Sequence, residues 1–326
     1  MFGIDQPAFE AMARSEAIKN LKSLPPDVLD HVAEEIRIFN SRPDEGIDEA
    51  EAHRLITELT FVYFLLPVSI RNGHQIFRGR LVDSGKLLPV VGEFGPPPTD
   101  KTGVGRANGA GDPLFYGGSS DETVFAEIRA TAGSSINIAA FTVKPGSNIT
   151  AHAIGEIDHY RRWRRNRFLP AGLEEHTQNI LAELHPDVAL AVQLVDAFLA
   201  DRFSRPGKET YRVTNLIARE FLRSHSLDAI IYPSVAHPGG TNYAIKANVS
   251  QERLEARAGV AVEILNDYGY GSFRGGRYGL AKLHPGASEI PWVTPQDHPE
   301  VIKKLKLETE KDPDPIIAWM MRPGSR

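Results

Sequence analysis

The chain contains no cysteine, and that one absence removes several chemistries. Disulfide frameworks, thiolate metal sites and cysteine nucleophiles are all excluded. Doing without disulfides suits a reducing compartment, and the protein is read as cytoplasmic. Long apolar runs are missing as well. The most apolar stretch, FVYFLLPVSI from Phe61 to Ile70, holds Pro67 and is too short to span a bilayer, so no membrane partner is expected. Neither sign of charge dominates: 37 Lys and Arg face 42 Asp and Glu, a net charge of −5. Bulk electrostatics therefore give no reason to expect nucleic acid as a direct partner. The first residues, MFGIDQPAFEAMARSEAIKN, carry acids and lack the basic-then-apolar layout of a secretion signal.

Standard catalytic and nucleotide-binding motifs are also absent. A dinucleotide fingerprint fails because Gly103 and Gly105 are followed by Asn108 where the third glycine should stand. The preceding PPPTDKT could not form a central strand. A P-loop fails at RPGKET, where Glu209 follows the lysine. There is no H-E-x-x-H and no G-x-S-x-G. HAIGEIDH, His152 to His159, offers ligand-type residues without a metal spacing; it reads as a polar surface loop, and no metal is expected. RRWRRNR, Arg161 to Arg167, reads as a solvated helix face on an acidic protein.

What is present is an ordinary globular composition: 326 residues, 41% apolar and 24% charged, enough for a sizeable core. Residues 1–72 read as a helical extension, with VLDHVAEEIRIF and EAHRLITELTFVYFLL carrying apolar residues near helical spacing. Residues 73–250 mix strands and helices. QIFRGRLV and PLFY are short strands, and SINIAAFTV is apolar on both faces, as a buried strand requires. A helix or helix pair breaks near Pro186, YRVTNLIAREFLRSH is another helix, and LDAIIYPSV and GGTNYAIK are strands. Residues 251–326 hold one strand-like run, RAGVAVEILNDYGY, and then a tail without a pattern. Strands and helices without strict alternation indicate an α+β fold.

One segment concentrates chemistry: GVGRANGAGDPLFYGGSSDETVFAEIR, Gly103 to Arg129. Ser119 and Glu122 have capping-box spacing, which predicts a helix starting near Ser120. At about 100° per residue, Glu127 then falls away from the exposed Glu122–Arg129 face, on the inward side. A carboxylate there needs partners. From the residues alone two readings stand: a buried Arg106–Glu127 pair bracing a turn, or a ligand site made by Arg106, Tyr116 and Glu127.

Taken together, FRGR with Arg78, the Arg106–Tyr116–Glu127 segment, and LDAIIYPSVAHPGGTNYAIK with Ser234 resemble the RES-domain family over roughly residues 74–247. The resemblance implies an ADP-ribosyltransferase-like fold, a mixed β-sheet flanked by helices. It implies an enzyme that degrades NAD, as glycohydrolase or phosphorylase, with NAD as substrate and inorganic phosphate as a candidate co-substrate. It also implies a bacterial toxin neutralised by a helix-turn-helix antitoxin. Separately from the resemblance, a homo-oligomer is kept among the expected assemblies. The alternatives are a protein ADP-ribosyltransferase and a non-catalytic NAD-binding scaffold. Arg106, Tyr116 and Glu127 are the expected catalytic residues, and Arg78, Asn108, Ser234 and Asn242 the expected NAD-binding ones. Ser234, Asn108 and Asn242 have turn-capping as the competing role. The chemistry suits such residues. Nicotinamide leaves neutral and needs no proton, so a single carboxylate can stabilise the oxocarbenium-like transition state. Guanidinium groups suit phosphates.

Overall fold

The structure is a computed structural model describing residues 2–3, 16–43, 46–167, 173–224, 227–294, 298–300, 303 and 319–320. In chain order the elements are β1 (Phe2–Gly3), α1 (Glu16–Ser23), α2 (Val28–Asn40), α3 (Glu49–Phe61), β2 (Pro67–Arg71) and β3 (Ile76–Val82). Next come β4 (Leu114–Gly118), α4 (Asp121–Glu127), β5 (Ser135–Val143), β6 (Asn148–Ala153), α5 (Glu156–Trp163), α6 (Leu173–Ala182), α7 (Pro186–Ser204) and α8 (Tyr211–Ser224). The described elements close with β7 (Ala229–Pro233), β8 (Thr241–Lys246), α9 (Ala247–Arg253), β9 (Leu254–Asp267) and β10 (Phe273–Lys282).

All ten strands belong to one sheet, in the order β1-β2-β6-β7-β8-β4-β3-β5-β9-β10. The sheet is mixed: β6 and β7 run parallel, and the other pairs are antiparallel. The α+β expectation holds. The sheet takes β2 from the first sequence segment and β9 and β10 from the third.

β5 shows how the sheet is covered on both faces, since all nine of its residues are buried. Ala139, Phe141 and Val143 join the larger core with the N-terminal helices, α7 and α8. Ile136, Ile138 and Ala140 face a smaller core with Phe77, Val124 and Phe125, closed by Trp319 and Met320. This alternation is the period-two signal of a strand buried on both sides.

Four expectations change. The run through FVYFLL is not one helix: α3 stops at Phe61, and Pro67 opens β2, where a strand's first residue tolerates a missing N–H. Ser120, not Ser119, caps α4, its hydroxyl accepting from Thr123 N, while Ser119 Oγ accepts from Thr241 N on β8. His152 to Asp158 is no surface loop: His152, Glu156 and Asp158 are buried. Asp196 ties the segment down, accepting from Tyr63 Oη at 2.6 Å and from the backbone N–H of Gly155 and Asp158. The unpatterned tail contains β10, whose glycine-rich FRGGRYGLAK hides its alternation. In RRWRRNR, Arg161, Arg162, Arg164 and Arg165 are exposed, but the helix ends at Trp163, and Arg167 is half-buried and donates to Gly155 O.

Candidate active site

The site begins at a fork in the sheet. β3 pairs with β5 along its whole length and β4 with β8 along its whole length, but β3 and β4 share only the pair Phe77–Gly118. Beyond that pair the strands part, and a cavity of ≈ 310 Å³ opens between them. Its walls are Phe77 to Arg80 of β3, Tyr116 to Gly118 of β4, Gly105 and Arg106 of the preceding loop, and Val124, Glu127 and Ile128 around α4. Tyr211, Tyr232 and Asn242 complete it.

Arg78 lies across the fork. It is 5% exposed, its Nη1 donates to the Tyr116 carbonyl at 2.6 Å, and its guanidinium stacks 4.8 Å from the Phe115 ring centroid. Burial, with Arg80 nearby, pushes its pKa well below the usual value. An arginine nevertheless stays protonated near neutral pH, so Arg78 is a buried cation. Arg106 is held by carbonyls, Nη1 donating to Arg205 O at 3.0 Å and Phe203 O at 3.3 Å, with the Tyr211 ring 5.2 Å away. Arg80 donates to Glu93 O and Gly95 O. Among the described residues none of these three guanidinium groups has a carboxylate partner.

Opposite them stands Glu127, at the last turn of α4. The helix is short: Ser120 caps it, and Arg129 in the left-handed region (φ 55) ends it, which leaves Glu127 at the cavity mouth. Glu127 Oε1 accepts from Asn242 Nδ2 at 2.6 Å and from Ser234 Oγ at 2.7 Å. Ser234 Oγ in turn accepts from His237 N at 2.9 Å, so the serine both closes its turn and orients the carboxylate.

Of the residues expected from sequence, Arg78, Arg106, Tyr116, Glu127 and Asn242 line one cavity, and Ser234 reaches it through Glu127. Asn108 does not line it. Its Nδ2 donates to the Gly103 and Gly109 carbonyls and its Oδ1 accepts from Tyr116 Oη at 2.7 Å, so it braces the loop. Gly105 is required there, because a Cβ would lie 2.3 Å from Asn108 Oδ1 and 2.9 Å from Tyr116 Oη. The Tyr116 hydroxyl also accepts from Ala107 N, and burial pushes its pKa up, so it stays neutral. The buried Arg106–Glu127 pair does not form: Arg106 bonds to carbonyls, and Glu127 is exposed rather than inward.

Sequence reading missed Arg80, Tyr211 and Tyr232 as wall residues. Arg80 carried a signal, since a strand places i and i+2 on one face with Arg78. Tyr211 opens α8 and Tyr232 lies on β7, and nothing local announces that either meets β4.

A family model described as RES domain matches residues 89–262, and the chain belongs to the RES-domain family. The match begins after Arg78 and runs into β9. That membership is consistent with an enzymatic role acting on NAD. No curated protein and no solved structure matches the chain. No described helix is long and apolar enough to cross a membrane.

Proposed function

We propose that this RES-domain protein cleaves the nicotinamide–ribose bond of NAD and acts as a toxin whose activity a partner protein must restrain. One observation carries the reading: three guanidinium groups without carboxylate partners among the described residues line one cavity together with a carboxylate held by Ser234 and Asn242. The arginine wall suits the diphosphate, by bidentate charge-assisted hydrogen bonds. With Oε1 taken by two donors, Glu127 Oε2 is free to accept from a ribose hydroxyl and to face developing positive charge at the anomeric carbon. The C–N bond breaks with its electron pair on the ring nitrogen, and nicotinamide leaves neutral. Water then attacks and releases a proton to give ADP-ribose, or inorganic phosphate attacks to give its 1-phosphate. A preorganised site of this kind stabilises the transition state without moving a metal or a second acid.

Incubating purified protein with NAD, with and without phosphate, tests this by chromatography of nicotinamide and the ribosyl product. Release of nicotinamide that stops in Glu127→Gln supports the reading. Intact NAD after long incubation under both conditions refutes it. Label carried from the adenylate half onto a macromolecule would instead identify an ADP-ribosyltransferase.

A further inference from the structure

The cavity at the fork does not end at Arg80. A second basin, open to solvent, is walled by Arg80, Leu81, Asp83, Lys86, Leu88 and Glu93. The two share Arg80 and follow one another along the chain, the inner one from Phe77 to Arg80 of β3 and the outer one from Arg80 to Asp83, just past the end of β3. From Arg78 onward β3 pairs with β5 on one side and with no strand among the described residues on the other. The groove therefore follows the edge of β3 that the fork leaves without a strand partner.

Arg80 is fixed at the junction. Its Nε donates to Glu93 O at 2.9 Å and its Nη2 to Gly95 O at 2.8 Å, while Nη1 has no hydrogen-bond partner among the described residues. Two carbonyls thus hold the guanidinium plane in place and leave one nitrogen for a ligand, an arrangement that lowers the entropy lost on binding. Past the junction the basin is lined by Asp83, Lys86, Leu88 and Glu93, with Lys86 as its cation.

We infer that Arg80 is the hinge between two subsites: the inner cavity takes the nicotinamide riboside end of the dinucleotide, and the outer basin takes its adenylate half, with a phosphate on Arg80 and the adenosine beyond it toward Lys86. This rests on the NAD reading above and adds to it a specificity determinant for the distal half of the substrate. Arg80 discriminates by length: a mononucleotide that ends at its first phosphate makes less use of it than a dinucleotide does.

The experiment has two arms. Calorimetric titration with ADP reads the outer subsite without turnover, and steady-state kinetics compare NAD with nicotinamide mononucleotide. Wild type, Arg80→Gln, Arg80→Lys and Lys86→Ala are measured, with thermal melting to confirm folding. Arg80→Gln is expected to weaken ADP about tenfold, with partial rescue by Arg80→Lys, and to reduce kcat/KM for NAD about tenfold more than for the mononucleotide. Lys86→Ala, a surface change, is expected to weaken ADP about threefold. Equal losses on both substrates, ADP binding unchanged in Arg80→Gln, or no ADP binding by the wild type would each overturn the inference. If the wild type binds ADP through Arg80 but cleaves neither substrate, the cleavage reading falls and the subsite stands. Unchanged ADP binding with loss of label transfer to a macromolecule would overturn it in favour of an acceptor groove.

Discussion

The Arg78 guanidinium reaches the Tyr116 carbonyl at 2.6 Å, joining β3 to β4 where their backbone pairing has already ended. A side chain thus replaces a strand ladder, and the fork can stay open without an orphaned carbonyl. Arg78→Lys keeps the charge but loses the planar fork and the stacking on Phe115. Such a variant is expected to raise KM for NAD roughly tenfold and to lower the melting temperature. Unchanged kinetics would show that the fork needs only a charge.

Glu127 is exposed and has no ion-pair partner among the described residues, so its removal should affect chemistry far more than folding. Glu127→Gln is expected to lower kcat by about a hundredfold or more, a typical loss for a group stabilising transition-state charge, with stability within about 0.5 kcal/mol of wild type. Ser234→Ala leaves the Asn242 bond to Oε1 and should cost about tenfold in kcat. Single-turnover assays beside urea unfolding separate the two effects.

The Tyr116 hydroxyl links Ala107 N and Asn108 Oδ1, the two contacts that shape the loop carrying Arg106. Tyr116→Phe strands both groups and is expected to destabilise by about 1–3 kcal/mol. Because Arg106 moves with that loop, KM for NAD should rise with little change in kcat. A fall in kcat at constant KM would mean that the hydroxyl takes part in the chemistry.

At the start of α4, burial and the neighbouring Glu122 raise the Asp121 pKa from 3.8 to about 6, although Trp319 Nε1 donates to it at 3.0 Å. The folded state therefore holds this proton to higher pH than the unfolded chain does. The stability contributed by this group is full below pH 3.8 and is lost as pH rises through about 6. In Asp121→Asn that loss disappears, so the variant's melting temperature should gain on wild type between pH 4 and 6 and hold its lead above. A constant difference across that range would remove Asp121 as the titrating group.

Much of the site was legible before folding, because its residues carry local signals. Gly103 to Glu127 holds a loop, a strand and a capped helix in continuous sequence, so Arg106, Tyr116 and Glu127 stand out locally, although distant groups at Phe203, Arg205, Ser234 and Asn242 fix the side chains of Arg106 and Glu127. The apolar faces of β5 and the Pro186 break are equally local. Other parts were read wrongly where long-range burial overrode local texture. His152 to Asp158 looks polar, yet Tyr63, Asp196 and the sheet bury it. Asn108 looked like a ligand and is a brace, since only the fold brings Tyr116 Oη back to it.

By itself the amino-acid sequence determined most of the element types, the absence of thiol chemistry and five side chains, Arg78, Arg106, Tyr116, Glu127 and Asn242, that come to line one cavity. Periodicity, capping and residue chemistry are properties of neighbours along the chain. Only the tertiary structure decided that β3 and β4 separate after one residue pair, that Ser234 and Asn242 hold Glu127 by the same oxygen, and that no carboxylate among the described residues neutralises the three arginines. Those facts depend on which strands become neighbours in the sheet, and the packing of the whole chain settles that order.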